Sequence, residues 1–539
     1  MAFRPNDYQQ ISINDEFNQL SPRTKKIVEK SWAKDFADIV FPAINEERFA
    51  VLYSENKASR SNTPVNFIVG AMMIKVMMGQ SDEELLESIC CDVRYKYALH
   101  TTSYEEQPIS DRTLSRFRER LYNHEQNTGE KLLEDEMKAL AKIYQDFMNL
   151  NSNVKRMDSM MIATSAKRMS RLEILYTVNA NAVKLMHRLG ADDQIPVGLE
   201  HYLSDEDRND VIYYCKDEGV AARLDKVIEE AEKLRKAMDS DQWLEFSEYQ
   251  LLLRVLKEQT DTDDEGKRTA KKNKDIESTS LQNPSDPDAT FRMKAGKAYK
   301  GYVGNFVETV GENSQSLITD FELQPNTYSD SEFSKSVIKK HSATDPKVSM
   351  IVDGSYGGTE NQKLAEEHNV DLITTALTGK IPDTIFADFE FNEDKTAVTR
   401  CPAGHTPEKC SYNEKTGLFR VRMGMDCCKN CPYRDNCKPT EQKRSFIIRT
   451  STKMVQRAQY IKKLSTEEFL LLTRMRNAVE GIPSVLRRRY NIDHSPFRGL
   501  IRVGWAYALA IGGYNIKKLL RYRKNTGGCS CYAPNPATA

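Results

Sequence analysis

The sequence predicts a mixed α/β protein that begins with a long helical region. Apolar residues recur at the 3.6-residue helical period from about residue 24 to residue 150. Short apolar segments of strand length follow at 154–162, 290–294, 301–310, 348–352 and 370–377. Helical patterns lie between the later segments, and strands that alternate with helices indicate a mixed α/β sheet.

The chain has 539 residues, with 78 Lys plus Arg and 78 Asp plus Glu, so its formal net charge is zero. Any binding to nucleic acid must therefore come from local patches of charge. The apolar stretch Val503–Ile511 is far shorter than the roughly 20 residues of a membrane span. The first residues also lack the basic and apolar segments of a secretory leader. We therefore expect a cytoplasmic protein with no membrane partner.

Within the N-terminal region, a helix is predicted to begin after Ser110, which is a favoured N-cap residue. One face of this helix is apolar, and a second face carries arginines at every fourth position, namely Arg112, Arg116 and Arg120. The arginine face is either a solvated surface or a surface that lies on DNA phosphates.

Three carboxylates stand out by their positions. Asp158 lies in an otherwise apolar segment, and Asp353 follows an apolar strand and precedes several glycines. Glu480 is four residues after Arg476, so the two share one face of a helix. Taken singly, each has an ordinary structural interpretation, as a turn or cap residue for the aspartates and as a surface ion pair for Glu480.

Six of the eleven cysteines fall between residues 401 and 437, which is the distribution of a metal site rather than of a disulfide framework. Thiolates at C-x2-C spacing suit tetrahedral Zn²⁺ in a structural role. An iron–sulfur cluster and a set of buried free cysteines are the alternatives. The predicted ligands are Cys401, Cys428, Cys431 and Cys437, with Cys410, Cys427 and His405 as substitutes.

The segment from Arg474 to Lys524 holds twelve Lys or Arg residues against two acids. Four aromatic residues are interleaved with them, namely Tyr490, Phe497, Trp505 and Tyr514. One interpretation is a surface that follows DNA phosphates beside an active site. The other is a set of solvated helix faces with aromatic residues in the core.

Several segments together carry a resemblance to a known family. They are PVNFIVGAMM, SDRTLSRFRERL, RMDSMMIATSAKRMSRLE, DPDATFRMK, GYVGNFVETV, IVDGSYGG and RNAVEGIPSVLRRR. The combination, which extends over nearly the whole chain, resembles bacterial insertion-sequence transposases of the DDE superfamily, whose catalytic domain has an RNase H-like fold. One subgroup carries the motif Y-x2-R-x3-E-x6-K around its third acid. Arg476 and Glu480 match this motif, whereas Thr473 replaces the Tyr and Arg487 replaces the Lys.

The resemblance implies an enzyme that cleaves double-stranded DNA at transposon ends and joins the ends to target DNA. Asp158, Asp353 and Glu480 would be the catalytic carboxylates and would hold two Mg²⁺ ions, or Mn²⁺, which activate the attacking oxygen and stabilise the leaving oxygen. Because two ends must be joined, we expect a homodimer on DNA and association with the nucleoid. The expected phosphate-binding residues are Arg476 and Arg487 near the acids, with Arg488, Arg112 and Arg116 in the basic segments.

Two other functions are compatible with the same residues. A DDE-family nuclease would hydrolyse DNA without strand transfer and would use the same three acids. A non-catalytic, zinc-stabilised DNA-binding protein would not need them.

The expected organisation has six parts. They are a helical DNA-binding region (1–150), an RNase H-like core with the first and second acids (151–170 and 289–379), a helical insertion with a polar linker that is a loop or disordered (171–288), a zinc-binding insertion (380–445), a core helix with the third acid and a basic C-terminal region (446–525), and a disordered tail (526–539) that contains Cys529 and Cys531.

Overall fold

The structure is a computed structural model of the chain. It describes residues 1–6, 16–56, 58–101, 109–213, 219–263, 266–294, 296–311, 315–377, 379–494 and 496–526. The tail that was predicted to be disordered lies outside the described residues except for Thr526, and so do both of its cysteines.

Helices occupy much of the described chain, and none of the described helices is long and apolar enough to cross a membrane. The α-helices are α1 Glu16–Gln19, α2 Pro22–Glu29, α3 Trp32–Asp35, α4 Val65–Met78, α5 Asp82–Cys91, α6 Val93–Ala98, α7 Asp111–Thr128, α8 Leu132–Phe147, α9 Arg171–Arg188, α10 Asp205–Ile212, α11 Val220–Ala237, α12 Ser247–Gln259, α13 Asp330–Lys339, α14 Thr359–Glu367, α15 Met425–Lys429, α16 Arg434–Cys437, α17 Thr452–Leu464, α18 Glu467–Asn477, α19 Gly481–Tyr490 and α20 Leu500–Asn525.

The strands fall into four sheets, in the orders β4-β5-β1-β7-β8 with β6 also on β5, β11-β12-β14-β13, β10-β9 and β2-β3. Their bounds are β1 Val154–Ala163, β2 Thr260–Thr262, β3 Arg268–Ala270, β4 Thr290–Lys294, β5 Lys297–Val310, β6 Ser316–Pro325, β7 Val348–Val352, β8 Val370–Thr374, β9 Glu390–Phe391, β10 Val398–Arg400, β11 Lys409–Asn413, β12 Leu418–Gly424, β13 Thr440–Glu441 and β14 Ser445–Ser451. The predicted mixed α/β class is confirmed.

The chain divides into two compact units, and strand β1 contributes to both. Unit one comprises Met1–Ser152, Ser159–Ser329 and Ile482–Ala539. Unit two comprises Asn153–Asp158 and Asp330–Gly481.

Unit one contains the N-terminal helices and the long C-terminal helix α20, which packs on α4, α8 and β6. Helix α4 is buried on nearly all sides, as expected for a helix whose sequence is apolar all round. Gly513 of α20 permits a close approach, because a Cβ at this position would lie 2.8 Å from a ring carbon of Tyr490 and 3.6 Å from the backbone of Met77. In the same unit β4, β5 and β6 form antiparallel pairs.

Helices α9, α11 and α12 of unit one enclose a hydrophobic core of their own. The segment after them was predicted to be a loop or a disordered linker, and the second alternative is wrong. Strands β2 and β3 form a short hairpin there, and Asp286 is fully buried. The segment is ordered because hydrogen bonds satisfy its polar side chains, which a low apolar content does not reveal.

Unit two contains the parallel strands β1, β7 and β8, and α14 lies between β7 and β8 along the chain. A four-stranded antiparallel sheet follows, which the sequence did not predict. Its hydrophobic core includes Cys401 and Cys428.

The helix expected over residues 465–489 is interrupted by a 3₁₀ turn at Ala478–Glu480, which separates α18 from α19.

Candidate active site

The first predicted acid lies on strand β1, and the second directly follows the neighbouring strand β7 in unit two. Strands β1 and β7 are parallel, and their last aligned pair is Arg156 with Ile351. Asp158 and Asp353 each stand two residues beyond this pair. Adjacent strands are about 4.8 Å apart, and residues two apart lie on the same face of a strand. Continued for two residues, this register would bring the two carboxylates to the same level and the same face.

The loop after β7 fixes the backbone around Asp353. The amide of Gly354 donates to Oδ1 of Asp353 at 2.7 Å, and the amide of Tyr356 donates to its carbonyl at 3.1 Å. Gly357 is needed because a Cβ at this position would lie 2.4 Å from Cγ2 of Thr374 on the neighbouring strand β8. The glycines after Asp353 thus allow the tight turn that the sequence suggested.

A single guanidinium contacts the first and third predicted acids. Nη2 of Arg476 lies 3.7 Å from Oδ1 of Asp158, and Nη1 lies 2.5 Å from Oε1 of Glu480. The side chains of Arg476 and Asp158 are 13% and 15% exposed, whereas that of Glu480 is 60% exposed. The third acid therefore lies at the open side of this ion-pair network.

Helix α18 is anchored on the strands by a residue that the sequence analysis did not single out. Arg156, which is buried, donates from Nη1 to the backbone carbonyl of Met475, and α18 packs on β7. Arg156 is two residues before Asp158 on β1, so the two share a face of the strand. The sequence signal for Arg156 is its place in an apolar strand, on the same face as Asp158. An arginine there needs a buried polar partner.

The sequence left open whether Glu467 or Glu468 replaces Glu480 as the third acid. Both lie in the first turn of α18 and are exposed. Glu468 is eight residues before Arg476, which corresponds to about 12 Å along the helix. Of the three glutamates, Glu480 is the one that contacts Arg476 in the described structure.

In the described part of the chain, no three His, Cys, Asp or Glu side chains form a group that could hold a metal ion. At the predicted acids, the guanidinium of Arg476 contacts two of the three carboxylates, those of Asp158 and Glu480. The donor chemistry still suits a hard cation, since carboxylate oxygens are the ligands that Mg²⁺ prefers.

The predicted zinc ligands share one small cavity in unit two. Its volume is about 20 Å³, and its lining includes Cys401, Cys428, Cys431 and Cys437, together with Cys427. His405 and Cys410 do not line it. Burial raises the pKa of the Cys428 thiol to about 11, with a further contribution from its neighbours Cys431 and Cys401. Burial and the same two neighbours raise the pKa of the Cys437 thiol to about 12.

The other predicted phosphate-binding residues are in unit one. Arg112 and Arg116 are exposed on α7, and Arg488 is exposed on α19. Arg487 donates from Nε to Asp493 at 2.8 Å and from Nη2 to the carbonyl of Met161 at 3.0 Å.

Two of the interleaved aromatic residues are not available to bind DNA. Trp505 is 5% exposed and donates from Nε1 to Glu125 at 2.8 Å, and Tyr514 is 8% exposed. Base stacking requires an accessible ring face. Of the two interpretations of the basic segment, the one that places aromatic residues in the core is therefore correct for Trp505 and Tyr514.

Two family models match the chain. Residues 400–520 match the model described as "Transposase DDE domain", and residues 25–120 match the one described as "Transposase domain (DUF772)". The first range contains Arg476, Glu480 and the predicted zinc ligands, whereas Asp158 and Asp353 lie outside both ranges. Comparison with curated proteins gave no match, and neither did comparison with solved structures. The two matches support a DDE transposase of the bacterial insertion-sequence type over residues 25–120 and 400–520.

Proposed function

We propose that the protein cleaves DNA at the ends of its own element and joins them to target DNA, with Asp158, Asp353 and Glu480 as catalytic carboxylates. The observation that carries this proposal is the arrangement around Arg476, which contacts Asp158 and Glu480. The register of β1 and β7, continued for two residues, supports a position of Asp353 at the level of Asp158. All three acids belong to unit two, which supports their assignment to one site.

These three carboxylates would hold the divalent cations, Mg²⁺ or Mn²⁺. When bound, the cations activate the attacking oxygen and stabilise the leaving oxygen of an in-line displacement at phosphorus. Asp158 stands on β1 and Asp353 directly follows β7, so both are held by the sheet. Glu480 follows a helix end and is the most exposed of the three ion-paired side chains, so it has the freedom to turn toward a cation.

Arg476 has two roles in this proposal. Without cations it offsets the negative charge of Asp158 and Glu480, which would otherwise repel each other. Once cations neutralise the acids, its guanidinium can turn to a DNA phosphate, for which its planar set of donors is well suited. Arg487 and Arg488, which belong to unit one, would also contact DNA phosphates.

The core is proposed to be RNase H-like. The parallel strands β1, β7 and β8 with α14, and the antiparallel pair β5-β6, support this assignment. Membership of the Y-x2-R-x3-E-x6-K subgroup stays a prediction. Thr473 stands at the Tyr position of this motif, and its hydroxyl donates to the carbonyl of Phe469 at 2.9 Å.

The cysteine cavity is proposed to hold one structural Zn²⁺ bound by Cys401, Cys428, Cys431 and Cys437. Four thiols that line one cavity match the ligand number of a closed tetrahedral site. Metal binding would require the thiols to lose their protons, so a metal-free arrangement of thiols need not have the ligand geometry. This site would stabilise the antiparallel sheet and would take no part in the chemistry.

The proposed partners are double-stranded DNA at the element ends and at the target, bound by a homodimer in the cytoplasm beside the nucleoid. The second candidate, a nuclease without strand transfer, uses the same acids. A protein that supplies only DNA binding would not need Asp158 and Glu480 at one guanidinium.

The test uses a supercoiled plasmid that carries the gene with its flanking DNA, with the purified protein and Mg²⁺. Asp158→Asn, Asp353→Asn and Glu480→Gln should each lower the cleavage rate at least a hundred-fold, or about 2.7 kcal/mol in activation free energy. Glu468→Gln, a matched change on the same helical segment, should leave the rate within twofold. Full activity of Glu480→Gln would contradict the assignment of the third acid.

Strand transfer is measured separately with a pre-cleaved element end and a target plasmid. Joined products that depend on all three acids support a transposase. Cleavage without joining would instead identify the nuclease.

A further inference from the structure

We infer that a cleft in unit one binds the phosphodiester backbone of DNA through four arginines, Arg60, Arg112, Arg116 and Arg120. We call it the arginine cleft, and it has a volume of about 200 Å³. Arg60 comes from the chain before α4, and the other three come from α7. The inference rests on the proposed function only in taking DNA as the substrate.

Within the part of the chain that the structure describes, the charge in the arginine cleft is uncompensated. No acidic residue is among those that line it, and none of its four arginines forms an ion pair with an acid in the described ranges. Four guanidinium groups in one cleft repel one another unless an anion binds between them. A ligand with negative charge is therefore the partner that this arrangement favours.

Arg118 shows that α7 can supply a compensated arginine where the fold needs one. It is on the same helix, and its Nη1 and Nη2 donate to both carboxylate oxygens of Asp82 at 2.6 and 2.8 Å. This pair lowers the pKa of Asp82 through the hydrogen bonds from Arg118, with Lys75 as a second donor. The unpaired state of the cleft arginines is thus a local feature and not a general property of α7.

One wall of the cleft is held in place before any ligand binds. The guanidinium of Arg120 lies 4.9 Å from the ring centre of Tyr53, and its Nη2 donates to Sδ of Met1 at 3.4 Å. Phe117, which is buried, and Ile68 line the floor. A side chain that is already ordered loses less conformational entropy on binding.

The size and layout of the cleft favour a nucleic-acid backbone over a single small anion. The volume of the arginine cleft, about 200 Å³, is several times the share of about 30 Å³ that one water molecule has in the liquid. A phosphate group with its ester oxygens can therefore enter. The three arginines of α7 recur every fourth residue, which spaces them about 6 Å apart along the helix. Their charge therefore extends along a line of about 12 Å, which suits successive phosphates of one strand.

The test measures binding of the full-length protein to a fluorescent DNA duplex of arbitrary sequence, without divalent cations, at several salt concentrations. Arg60→Gln combined with Arg116→Gln should raise the Kd at least about tenfold and lower the slope of log Kd against log salt by about two. Arg94→Gln is the matched control, because Arg94 is exposed, pairs with Asp92 and does not line the cleft. Its Kd should stay within twofold of the wild-type value.

Two results would overturn the inference. One is an unchanged Kd and salt slope in the double variant with a wild-type thermal unfolding midpoint. The other is displacement of DNA from the wild-type protein, but not from the double variant, by inorganic phosphate at low millimolar concentration, which would identify a small-anion site. Because this assay needs no cation and no cleavage, it can succeed while the catalytic proposal fails, and the reverse also holds.

Discussion

Nη2 of Arg476 lies 3.7 Å from Oδ1 of Asp158, although the two residues belong to a helix and a strand that are far apart in the sequence. The same guanidinium contacts Glu480 at 2.5 Å through Nη1. A helical spacing of four residues explains the second contact but not the first. The first contact requires α18 to pack on the sheet, and it links the proposed third acid to the proposed first acid.

Arg476→Gln should destabilise the metal-free protein by about 2 kcal/mol, because it leaves Asp158 and Glu480 without their common cation in a partly buried setting. Divalent cations should reverse much of this loss, since they supply the missing positive charge. The measurement is the thermal unfolding midpoint with and without Mg²⁺ or Mn²⁺. The rise caused by the cation should be larger in the variant than in the wild-type protein.

Arg474→Gln is the control for this experiment. Arg474 is exposed on the same helix and has no ion pair with a described acid. Its unfolding midpoint and its response to Mg²⁺ should match the wild-type protein. An equal response to Mg²⁺ in all three proteins would mean that Arg476 does not hold cation-binding carboxylates.

The parts of the site that the sequence predicted are those encoded by local patterns. An apolar run that ends in Asp353 predicts a strand end, and a spacing of four predicts the contact of Arg476 with Glu480. The parallel pairing of β1 with β7, on which the proposed position of Asp158 beside Asp353 depends, is contained in no local pattern. The buried anchor Arg156 was missed for the same reason, because its partner is a backbone carbonyl on α18.

Three other features could not be predicted from the sequence pattern. The antiparallel strands β11–β14 are short and mostly polar on one side, so their alternation is hard to separate from loops. The helical pattern at 465–489 continues through the 3₁₀ turn at Ala478–Glu480, and helical periodicity does not register a local change from α to 3₁₀ geometry. Buried Trp505 likewise resembles a DNA-stacking residue until its partner Glu125 is known.

Asp286 should be among the most sensitive residues of the supposed linker. Its carboxylate is fully buried and accepts hydrogen bonds from the hydroxyls of Thr164 and Tyr302 and from the amide of Gly499. Asp286→Asn would place an amide donor against one of these donors, so we expect a loss of about 3 kcal/mol in the free energy of unfolding. Urea unfolding followed by circular dichroism measures this loss.

Asp288→Asn provides the comparison two residues away. Asp288 is exposed and accepts from the amide of Leu500 at 2.9 Å, a hydrogen bond that the Asn side-chain oxygen can also accept, so this variant should cost about 0.5 kcal/mol or less. If the two variants are equally stable, the buried network of Asp286 does not order this segment.

Zinc content can be tested without any assay of activity. The purified protein should contain about one Zn²⁺ per chain, in line with a single four-thiolate site. Cys437→Ser should lower the zinc content several-fold and reduce the thermal stability of unit two, because Cys437 lines the cavity. Cys410→Ser should retain zinc, since Cys410 is outside the lining and accepts from the amide of Val398 at 3.5 Å. Elemental analysis of dialysed protein that contains no zinc would rule out the site.

Glu125 gives unit one a pH-dependent contribution to stability. Burial raises the pKa of its carboxyl group, and the hydrogen bond from Trp505 only partly offsets this effect. A glutamate whose pKa is higher in the folded state binds more protons when folded. Its contribution to stability is therefore greatest below the unfolded pKa of about 4.3 and is lost as the pH rises through the folded value.

Glu125→Gln removes this dependence and keeps an oxygen that can accept from Trp505. The difference in unfolding midpoint, variant minus wild type, should be near zero at pH 4 and should rise by about 1 °C at pH 8, the shift that roughly 1 kcal/mol produces in a unit of this size. Glu119→Gln on the exposed face of α7 should show no such rise. A difference for Glu125→Gln that stays constant from pH 4 to pH 8 would mean that the Glu125 carboxyl has the same pKa in the folded and unfolded chain.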